Sequence, residues 1–191
     1  MKTEDILTKT DKINGSDHIL VIGFASKTGN AVIKYLSENE FDYSISDTKE
    51  NNDLKFIEKS KTKPIKIFEG PQSNEQLNNI TKIIIAPGVP RTIPILKEAE
   101  KRNIPIDSEI AFSYQLIKNK GIKLIGITGT DGKSTTSALT YHLIKDSYTT
   151  YLLGNYGEPL INRLAELEKN DIVILELSSY QLEDGEKYHL N

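Results

Sequence analysis

The sequence predicts an α/β fold with two successive parallel sheets. Apolar runs of strand length alternate with segments of helical spacing over most of the 191 residues, an order typical of parallel sheets covered by helices. The polar stretch at 119–121 interrupts this alternation, and a new strand–helix series begins directly after it. A glycine-rich loop joins the first strand and helix of that second series. We therefore expect two domains with a boundary at 119–121.

Composition and charge limit the classes of protein to consider. The hydrophobic content of 37% and the charged content of 27% are ordinary for a soluble protein, and a net charge of −3 gives no reason to expect nucleic acid as a partner. No apolar run approaches the roughly 20 residues that cross a bilayer, and the polar N-terminus is not a secretory signal. The absence of cysteine excludes disulfides and thiolate metal sites. Together these features predict a soluble, cytoplasmic protein without a membrane partner.

The first half of the chain is expected to be a polar lead-in, 1–17, followed by a domain at 18–118. Its strands are marked by β-branched apolar runs such as HILVIG and KIIIA. The predicted strands cover 18–23, 41–46, 66–68, 82–86 and 104–106. The predicted helices begin at 28 or 29 and cover 93–102 and 107–118, with a loop and short helix at 74–79.

The second half, 122–191, is expected to form another βα domain. The run DIVILEL has the length and branching of a buried strand. The predicted strands cover 122–127, 149–153 and 171–177, and the predicted helices cover 134–145 and 160–168.

The stretch GITGTDGKST at 126–135 carries the clearest chemical signal. Its glycines allow backbone N–H groups to surround phosphate oxygens at a helix start. Lys133 adds a full positive charge, and the Ser134 hydroxyl can bind Mg²⁺. The general nucleotide-loop pattern has a glycine where this chain has Ile127, so an ordinary glycine turn that binds nothing stays open as an alternative.

A second signal is the acid at the end of the last predicted strand. Glu176 follows the run IVIL, at the end where parallel strands face their ligands. A carboxylate there can hold Mg²⁺ beside nucleotide phosphates. The alternative is an ordinary exposed acid at a strand end.

A third signal is the loop GFASKTG at 23–29, followed by Asp47 after the next strand. This is the outline of a Rossmann-like βαβ unit, in which an acid about 20 residues on contacts a ribose or base. Ala25 stands where the middle glycine is usual, and the loop is one residue longer than the strict form. The pattern favours a phosphate-containing ligand and disfavours NAD.

Several segments together resemble the Mur ligase family. GITGTDGKST resembles the family's ATP loop, GxxGTNGK followed by Ser or Thr, which accounts for the departure from the general pattern. GNYGEP at 154–159 and APGVP at 86–90 resemble two further segments of the family. ELSSYQLE at 176–183 resembles the segment typical of the D-glutamate-adding members. The resemblance runs from about 18 to 183, and it implies a Rossmann-like domain followed by the first part of a P-loop domain.

The resemblance also implies an activity. Mur ligases of this kind use ATP to phosphorylate the carboxylate of UDP-N-acetylmuramoyl-L-alanine, and the amino group of D-glutamate then attacks the acyl phosphate. Lys133, together with Mg²⁺ held by Ser134 and Glu176, would neutralise charge on the transferred phosphate. Asn155 would line the junction where the two substrates meet and would act with Lys133 and Glu176 in catalysis.

Further roles follow from the resemblance residue by residue. The residues that would hold the ATP phosphates are Gly129, Thr130, Asp131, Gly132, Lys133, Ser134 and Thr135. The residues that would bind the UDP precursor are Ser26, Lys27 and Thr28 near the diphosphate, Asp47 and Thr48 at the uracil, Pro87 and Gly88 beside it, and Asn155.

Two departures from the family bear on activity. Asp131 stands where the family has Asn, which adds a negative charge beside the phosphates. The remainder of the central domain and the C-terminal domain are expected to be absent, and His189 lies too early to match the family's histidine segment. We therefore expect a truncated chain that does not ligate by itself.

Three alternatives stay open at this point. The chain could belong to another ligase of the same superfamily, such as an alanine-adding enzyme or a folylpolyglutamate synthase. It could be a P-loop kinase for a small molecule, although nothing before residue 120 supplies an acceptor site or a lid. It could be a non-catalytic nucleotide-binding module. The sequence leaves the oligomeric state open.

Overall fold

A computed structural model describes residues 17–50 and 52–182. Within that part the chain divides into two compact units, and the division falls between Glu109 and Ile110. The predicted lead-in, apart from Asp17, and the final residues 183–191 with His189 lie outside the described residues. The domain limits 18–118 and 122–191 stay predictions.

The first unit (17–109) contains a five-stranded parallel sheet in the order β3-β2-β1-β4-β5. Because every pairing is parallel, all five strands end at the same edge of the sheet. The strands are β1 (His18–Ile22), β2 (Asp42–Asp47), β3 (Ile67–Glu69), β4 (Lys82–Ile85) and β5 (Ile106–Ser108). The helices are α1 (Lys27–Glu38), α2 (Lys55–Glu58) and α3 (Pro94–Lys101), with a 3-10 helix at Asn74–Leu77.

The core of this unit explains why β1 and β4 are continuous apolar runs rather than alternating ones. Helices follow the strands of a parallel sheet and cover it, so side chains on both faces of the central strands are buried. Leu20 and Ile83 are fully buried, and Leu96 of α3 packs in the same cluster. Burial of one such side chain stabilises the fold by roughly 1.5–3 kcal/mol.

The second unit (110–182) contains a three-stranded parallel sheet in the order β6-β8-β7. The central strand is buried at every position, which accounts for its uninterrupted apolar run. The strands are β6 (Lys123–Ile127), β7 (Thr150–Gly154) and β8 (Ile172–Glu176). The helices are α4 (Glu109–Ile117), which begins at the division, α5 (Lys133–Ile144) and α6 (Ser179–Leu182), with a 3-10 helix at Leu160–Arg163.

The prediction of parallel α/β sheets is confirmed, but the predicted helix at 160–168 is wrong. Only Leu160–Arg163 is helical, as one 3-10 turn. The Nζ of Lys120 donates hydrogen bonds to the carbonyls of Leu164 and Leu167, at 2.7 and 3.0 Å. These carbonyls are bound by a lysine from a distant part of the chain instead of by the next helical turn.

The strand predicted at 104–106 lies two residues later, as β5 (Ile106–Ser108). Pro105 has no N–H group to donate to a sheet, so the regular ladder begins after it. The carbonyl of Pro105 still accepts a hydrogen bond from Ile83 N, at 2.9 Å. The apolar pattern therefore identified the strand but not its first residue.

Exposed apolar side chains occur on α5, but the described residues include no membrane-spanning helix. On α5, Leu139 and Leu143 are 56% and 69% exposed, so this helix presents apolar side chains outward. Within 17–50 and 52–182, no helix combines the length and the hydrophobicity needed to cross a membrane.

His18, at the start of β1, generates a prediction about pH. Its Nε2 lies 2.8 Å from Ser44 Oγ. Burial lowers the pKa of His18 below the ordinary 6.5. The negative charge of nearby Asp42 raises the pKa and partly offsets this shift, whereas the positive charge of Lys66 lowers it further. The folded state therefore binds fewer protons at His18 than the unfolded state does. The stability that the neutral side chain allows is fully present above pH 6.5, and it is lost as the pH falls through the pKa of His18 in the folded state.

We expect the free energy of unfolding to fall more steeply from about pH 7 to about pH 5 in the parent chain than in His18→Gln. Urea unfolding of both chains across this range measures the two slopes. Equal slopes, or an NMR titration giving His18 a pKa above its ordinary value, would contradict the prediction.

Candidate functional site

The glycine-rich loop spans 128–132, between the end of β6 and the start of α5. Gly129 and Gly132 have φ values of +149° and +74°, a region that favours glycine. A Cβ added to Gly132 would meet no atom within 4 Å, so this glycine is required by its backbone angle and not by crowding. The loop is exposed at every position.

The side chain of Lys133 is hydrogen-bonded to the backbone of this loop. Its Nζ donates hydrogen bonds to the carbonyls of Gly129 and Thr130, at 2.7 and 3.0 Å. The ammonium group therefore lies directly beside the loop backbone at the N-terminus of α5, where the helix dipole is positive. Asp131 in the loop is exposed, as are Ser134 and Thr135 on the first turn of α5.

Glu176 lies at the carboxyl end of β8, next to the start of the loop. It is the register partner of Ile127, the last residue of β6, and the following residue Leu177 donates a backbone hydrogen bond to Ile127 O at 2.9 Å. The side chain of Glu176 is only 2% exposed. Adjacent strands are roughly 5 Å apart, so the acid and the loop share one edge of the sheet.

The two carboxylate oxygens of Glu176 have different surroundings. Oε1 accepts a hydrogen bond from Asn155 Nδ2 at 3.2 Å. Oε2 is buried and has no hydrogen-bond partner among the described residues. A buried polar atom without a partner costs free energy, and a bound ion or water is one of the ways in which that cost is removed.

These residues fit Mg²⁺ bound together with a nucleotide. A carboxylate oxygen of Glu176 and the hydroxyl of Ser134 would be the protein donors, and both are hard oxygen ligands. The described part of the chain contains no cluster of three or more His, Cys, Asp or Glu that could hold a metal by itself. Mg²⁺ in nucleotide sites needs no such cluster, because phosphate and water oxygens complete its shell.

The loop at 23–29, between the end of β1 and the first turn of α1 and called the first loop below, lies in the other unit and is also shaped by glycine and a helix start. A Cβ at Gly29 would lie 2.4 Å from Gly23 O and 2.7 Å from Phe24 Cα, so only glycine fits there. The Oγ of Ser26 accepts a hydrogen bond from Gly29 N at 3.0 Å and caps α1. Lys27 is exposed and Thr28 is partly exposed on the first turn.

Asp47 ties this loop to the end of β2. Its Oδ2 accepts a hydrogen bond from Ala25 N and its Oδ1 one from Lys49 N, both at 3.0 Å. Each oxygen keeps one further lone pair for a ligand. The adjacent Thr48 is exposed.

The turn after β4 packs against the first loop. A Cβ at Gly23 would lie 2.9 Å from a methyl group of Val89 and 3.0 Å from the Cβ of Ala86. Pro87 is partly exposed and Gly88 is exposed, with φ +88°. The predicted precursor-binding residues of the first unit thus come from the ends of three neighbouring strands, β1, β2 and β4.

A cavity of about 340 Å³ opens beside the first loop, and the sequence reasoning missed most of its lining. It contains two lysines, Lys49 and Lys55, and the aromatic ring of Phe56. Its remaining lining residues are Ala25, Asn30, Asn52 and Asp53. The only sequence signal was the position of Lys49 two residues after Asp47. The helix α2, which carries Lys55 and Phe56, was not predicted.

The two groups of residues belong to different compact units. One unit has a glycine loop with a capped helix and an acid at the next strand end. The other has a glycine–lysine loop beside a buried acid. This combination defines an α/β protein with two loops of the nucleotide-binding type.

Comparisons with known families agree with this class and narrow it. Residues 17–108 match the Mur ligase MurD-like, N-terminal domain, and residues 127–190 match the Mur ligase middle domain. The chain belongs to the Mur ligase family.

Individual relatives support the same assignment. The chain is 31% identical over 175 residues to a UDP-N-acetylmuramoylalanine–D-glutamate ligase of Alkaliphilus metalliredigens, an alignment that covers 90% of this chain and 38% of that protein. It is 38% identical over 172 residues to the protein of the same name from Rickettsia bellii, covering 90% of this chain and 36% of that one. The chain spans less than two fifths of the length of these relatives.

A solved structure shows the same fold. It is the UDP-N-acetylmuramate:L-alanyl-gamma-D-glutamyl-meso-diaminopimelate ligase from Neisseria meningitides. The superposition has a TM-score of 0.50 at 17% identity and covers 86% of this chain and 53% of that chain.

The contact between Gly154 and β8 generates a prediction about stability. Gly154 has φ +102°, and a Cβ there would lie 2.5 Å from Glu176 O. We expect Gly154→Ala to lower the free energy of unfolding by about 2–4 kcal/mol, because backbone strain and a steric clash add. The matched control is Gly132→Ala, which has a positive φ but open space and should cost only about 1 kcal/mol. Urea unfolding of both variants measures the difference, and equal losses would contradict the steric argument.

Proposed function

We propose that this chain supplies the precursor-binding domain and the ATP loop of a ligase that joins D-glutamate to UDP-N-acetylmuramoyl-L-alanine. The observation that carries the proposal is the glycine–lysine loop beside the buried, half-satisfied carboxylate of Glu176, in a chain of the Mur ligase family. The names of the relatives support the choice of D-glutamate as the amino acid.

The second unit would bind ATP. The backbone of the loop, with Gly129, Thr130 and Gly132, would surround the phosphates, and Thr135 would add a hydroxyl on the first turn of α5. Lys133 already lies at the loop backbone and would neutralise negative charge on the transferred phosphoryl group. Ser134 and Glu176 would hold Mg²⁺, which supplies further charge neutralisation when bound.

The reaction needs two steps at this edge of the sheet. A carboxylate oxygen of the precursor attacks the γ-phosphorus of ATP, and ADP leaves. The amine nitrogen of D-glutamate then attacks the acyl carbon, inorganic phosphate leaves, and the nitrogen loses a proton. Both steps bring anions together, so the positive charge of Lys133 is needed where they meet. Asn155 would line this junction.

The first unit would bind the UDP precursor. The first turn of α1, with Ser26, Lys27 and Thr28, would face the diphosphate. Asp47 and Thr48 would contact the uracil, with Pro87 and Gly88 beside it. The cavity next to the first loop supports this assignment, because Lys49 supplies a cation that suits an anionic ligand, whereas Lys55 is paired with Asp53 at 3.9 Å. Nucleotide-linked precursors and ATP are cytoplasmic substrates, so we propose a cytoplasmic location.

A ligand comparison tests the assignment of the first unit. Calorimetric titration of the chain with UDP-N-acetylmuramoyl-L-alanine is expected to give saturable binding, and titration with NAD is expected to give none. Lys49→Ala should weaken precursor binding about tenfold, because it removes a cation from the cavity. Lys97→Ala, an exposed lysine on α3, is the matched control and should bind like the parent chain. Binding of NAD without any response to the uridine ligand would overturn this part of the proposal.

The acid in the ATP loop generates a separate prediction. Asp131 places a negative charge where ATP phosphates would bind, so Asp131→Asn should tighten ATP binding by about three- to tenfold at low salt. The gain should shrink as the salt concentration rises, because screening weakens the repulsion.

The matched control is Asp146→Asn, an exposed acid beyond the opposite end of α5. That helix has 12 residues and is about 18 Å long, so the control charge lies far from the loop. Fluorescence titration with a labelled ATP analogue measures both variants. An equal effect of the two substitutions would point to overall charge and would contradict a local role of Asp131.

A further inference from the structure

The turn that carries Asn155 is closed by its own backbone. Gly154 N donates a hydrogen bond to Glu158 O at 2.9 Å, and Leu153 forms an isolated bridge with Glu158. Gly157 has φ +85°, and a Cβ there would lie 2.7 Å from Leu152 O. The backbone on both sides of Asn155 is therefore held in one conformation before any side chain is considered.

Asn155 contacts both the main chain and the side chain of Glu176. Its backbone N donates to Glu176 O at 2.9 Å, and its Nδ2 donates to Glu176 Oε1 at 3.2 Å. The main-chain bond fixes the Asn155 backbone beside the strand end. The side-chain bond engages one of the two carboxylate oxygens of Glu176.

The chemistry of the donor matters as much as its position. An amide is a neutral donor, so it can hold one oxygen of the carboxylate without adding a compensating positive charge. A lysine or arginine at the same position would neutralise that charge. The outcome is a buried carboxylate with Oε1 occupied and Oε2 without a partner among the described residues.

We infer that Asn155 is a positioning residue for Glu176: it holds Oε1 so that Oε2 is directed to a divalent cation that binds together with the nucleotide. The inference rests on the proposed function, and it gives Asn155 a role that acts through Glu176. Partners of this kind typically change metal affinity by 10- to 100-fold.

Mn²⁺ binding tests this role without requiring catalysis. Mn²⁺ substitutes for Mg²⁺, and its free concentration is measured by electron paramagnetic resonance in the presence of a non-hydrolysable ATP analogue. Asn155→Ala is expected to weaken Mn²⁺ binding about tenfold, and Glu176→Gln at least as much. The double variant should bind Mn²⁺ no more weakly than Glu176→Gln alone, since Asn155 acts through that carboxylate.

Two measurements separate positioning from a structural role. Binding of the same ATP analogue in the presence of EDTA should be unchanged in Asn155→Ala, because only the cation ligand is disturbed. The matched control is Asn162→Ala, which removes a nearby amide bonded to Glu158 at 3.5 Å and should leave Mn²⁺ affinity unchanged. The main-chain bond from residue 155 to Glu176 O does not depend on the side chain, so the turn should persist in the alanine variant.

The outcomes that overturn the inference are distinct from those that overturn the proposed function. Unchanged Mn²⁺ affinity in Asn155→Ala would exclude positioning. Additive losses in the double variant would mean that Asn155 contacts the bound nucleotide or cation itself. In both cases the parent chain still binds Mn²⁺ with the analogue, and the proposed function stands. A parent chain that binds no Mn²⁺ with the analogue would overturn the proposed nucleotide site and this inference together.

Discussion

The parallel pairing of β8 between β6 and β7 is the interaction on which the second unit depends. In this register Ile127, Glu176 and Gly154 are partners at the carboxyl ends of the three strands. The glycine-rich loop leaves the sheet from one neighbour, and the turn with Asn155 leaves it from the other. Because side chains alternate between the faces of a strand, a shift of one residue in β8 would turn the acid to the opposite face and remove it from both loops.

Glycine allows the backbones at this edge to approach closely, but for different reasons at different positions. At Gly154 the carbonyl of Glu176 leaves no space for a Cβ, whereas at Gly132 the space is open and only the left-handed backbone angle is demanding. Crowding at the first position fixes the strand end beside the acid. At the second position the backbone is exposed and uncrowded.

In the first unit, the end of a strand is held to a neighbouring loop by a side chain, that of Asp47. Asp47 uses both carboxylate oxygens to hold backbone N–H groups, one in the first loop and one just after β2. A residue expected only to contact a ligand therefore also shapes the loop that would bind it. The neighbouring cavity, with Lys49 and Lys55, extends the candidate site beyond the residues that the family resemblance indicates.

The sequence by itself determined the order of the strands and of the longer helices, the glycine–lysine loop and the acid at the end of β8, because these depend on local periodicity and backbone requirements. It did not reveal the short helices α2 and α6. It did not determine where the segment after Pro159 stops being helical, since Lys120 takes the carbonyls of Leu164 and Leu167 from a distant position. Nor could it show that Asn155 binds Glu176 or that Lys49 and Phe56 share a cavity. Those contacts join residues far apart in the chain or in unpredicted elements, and only strand register and packing decide them.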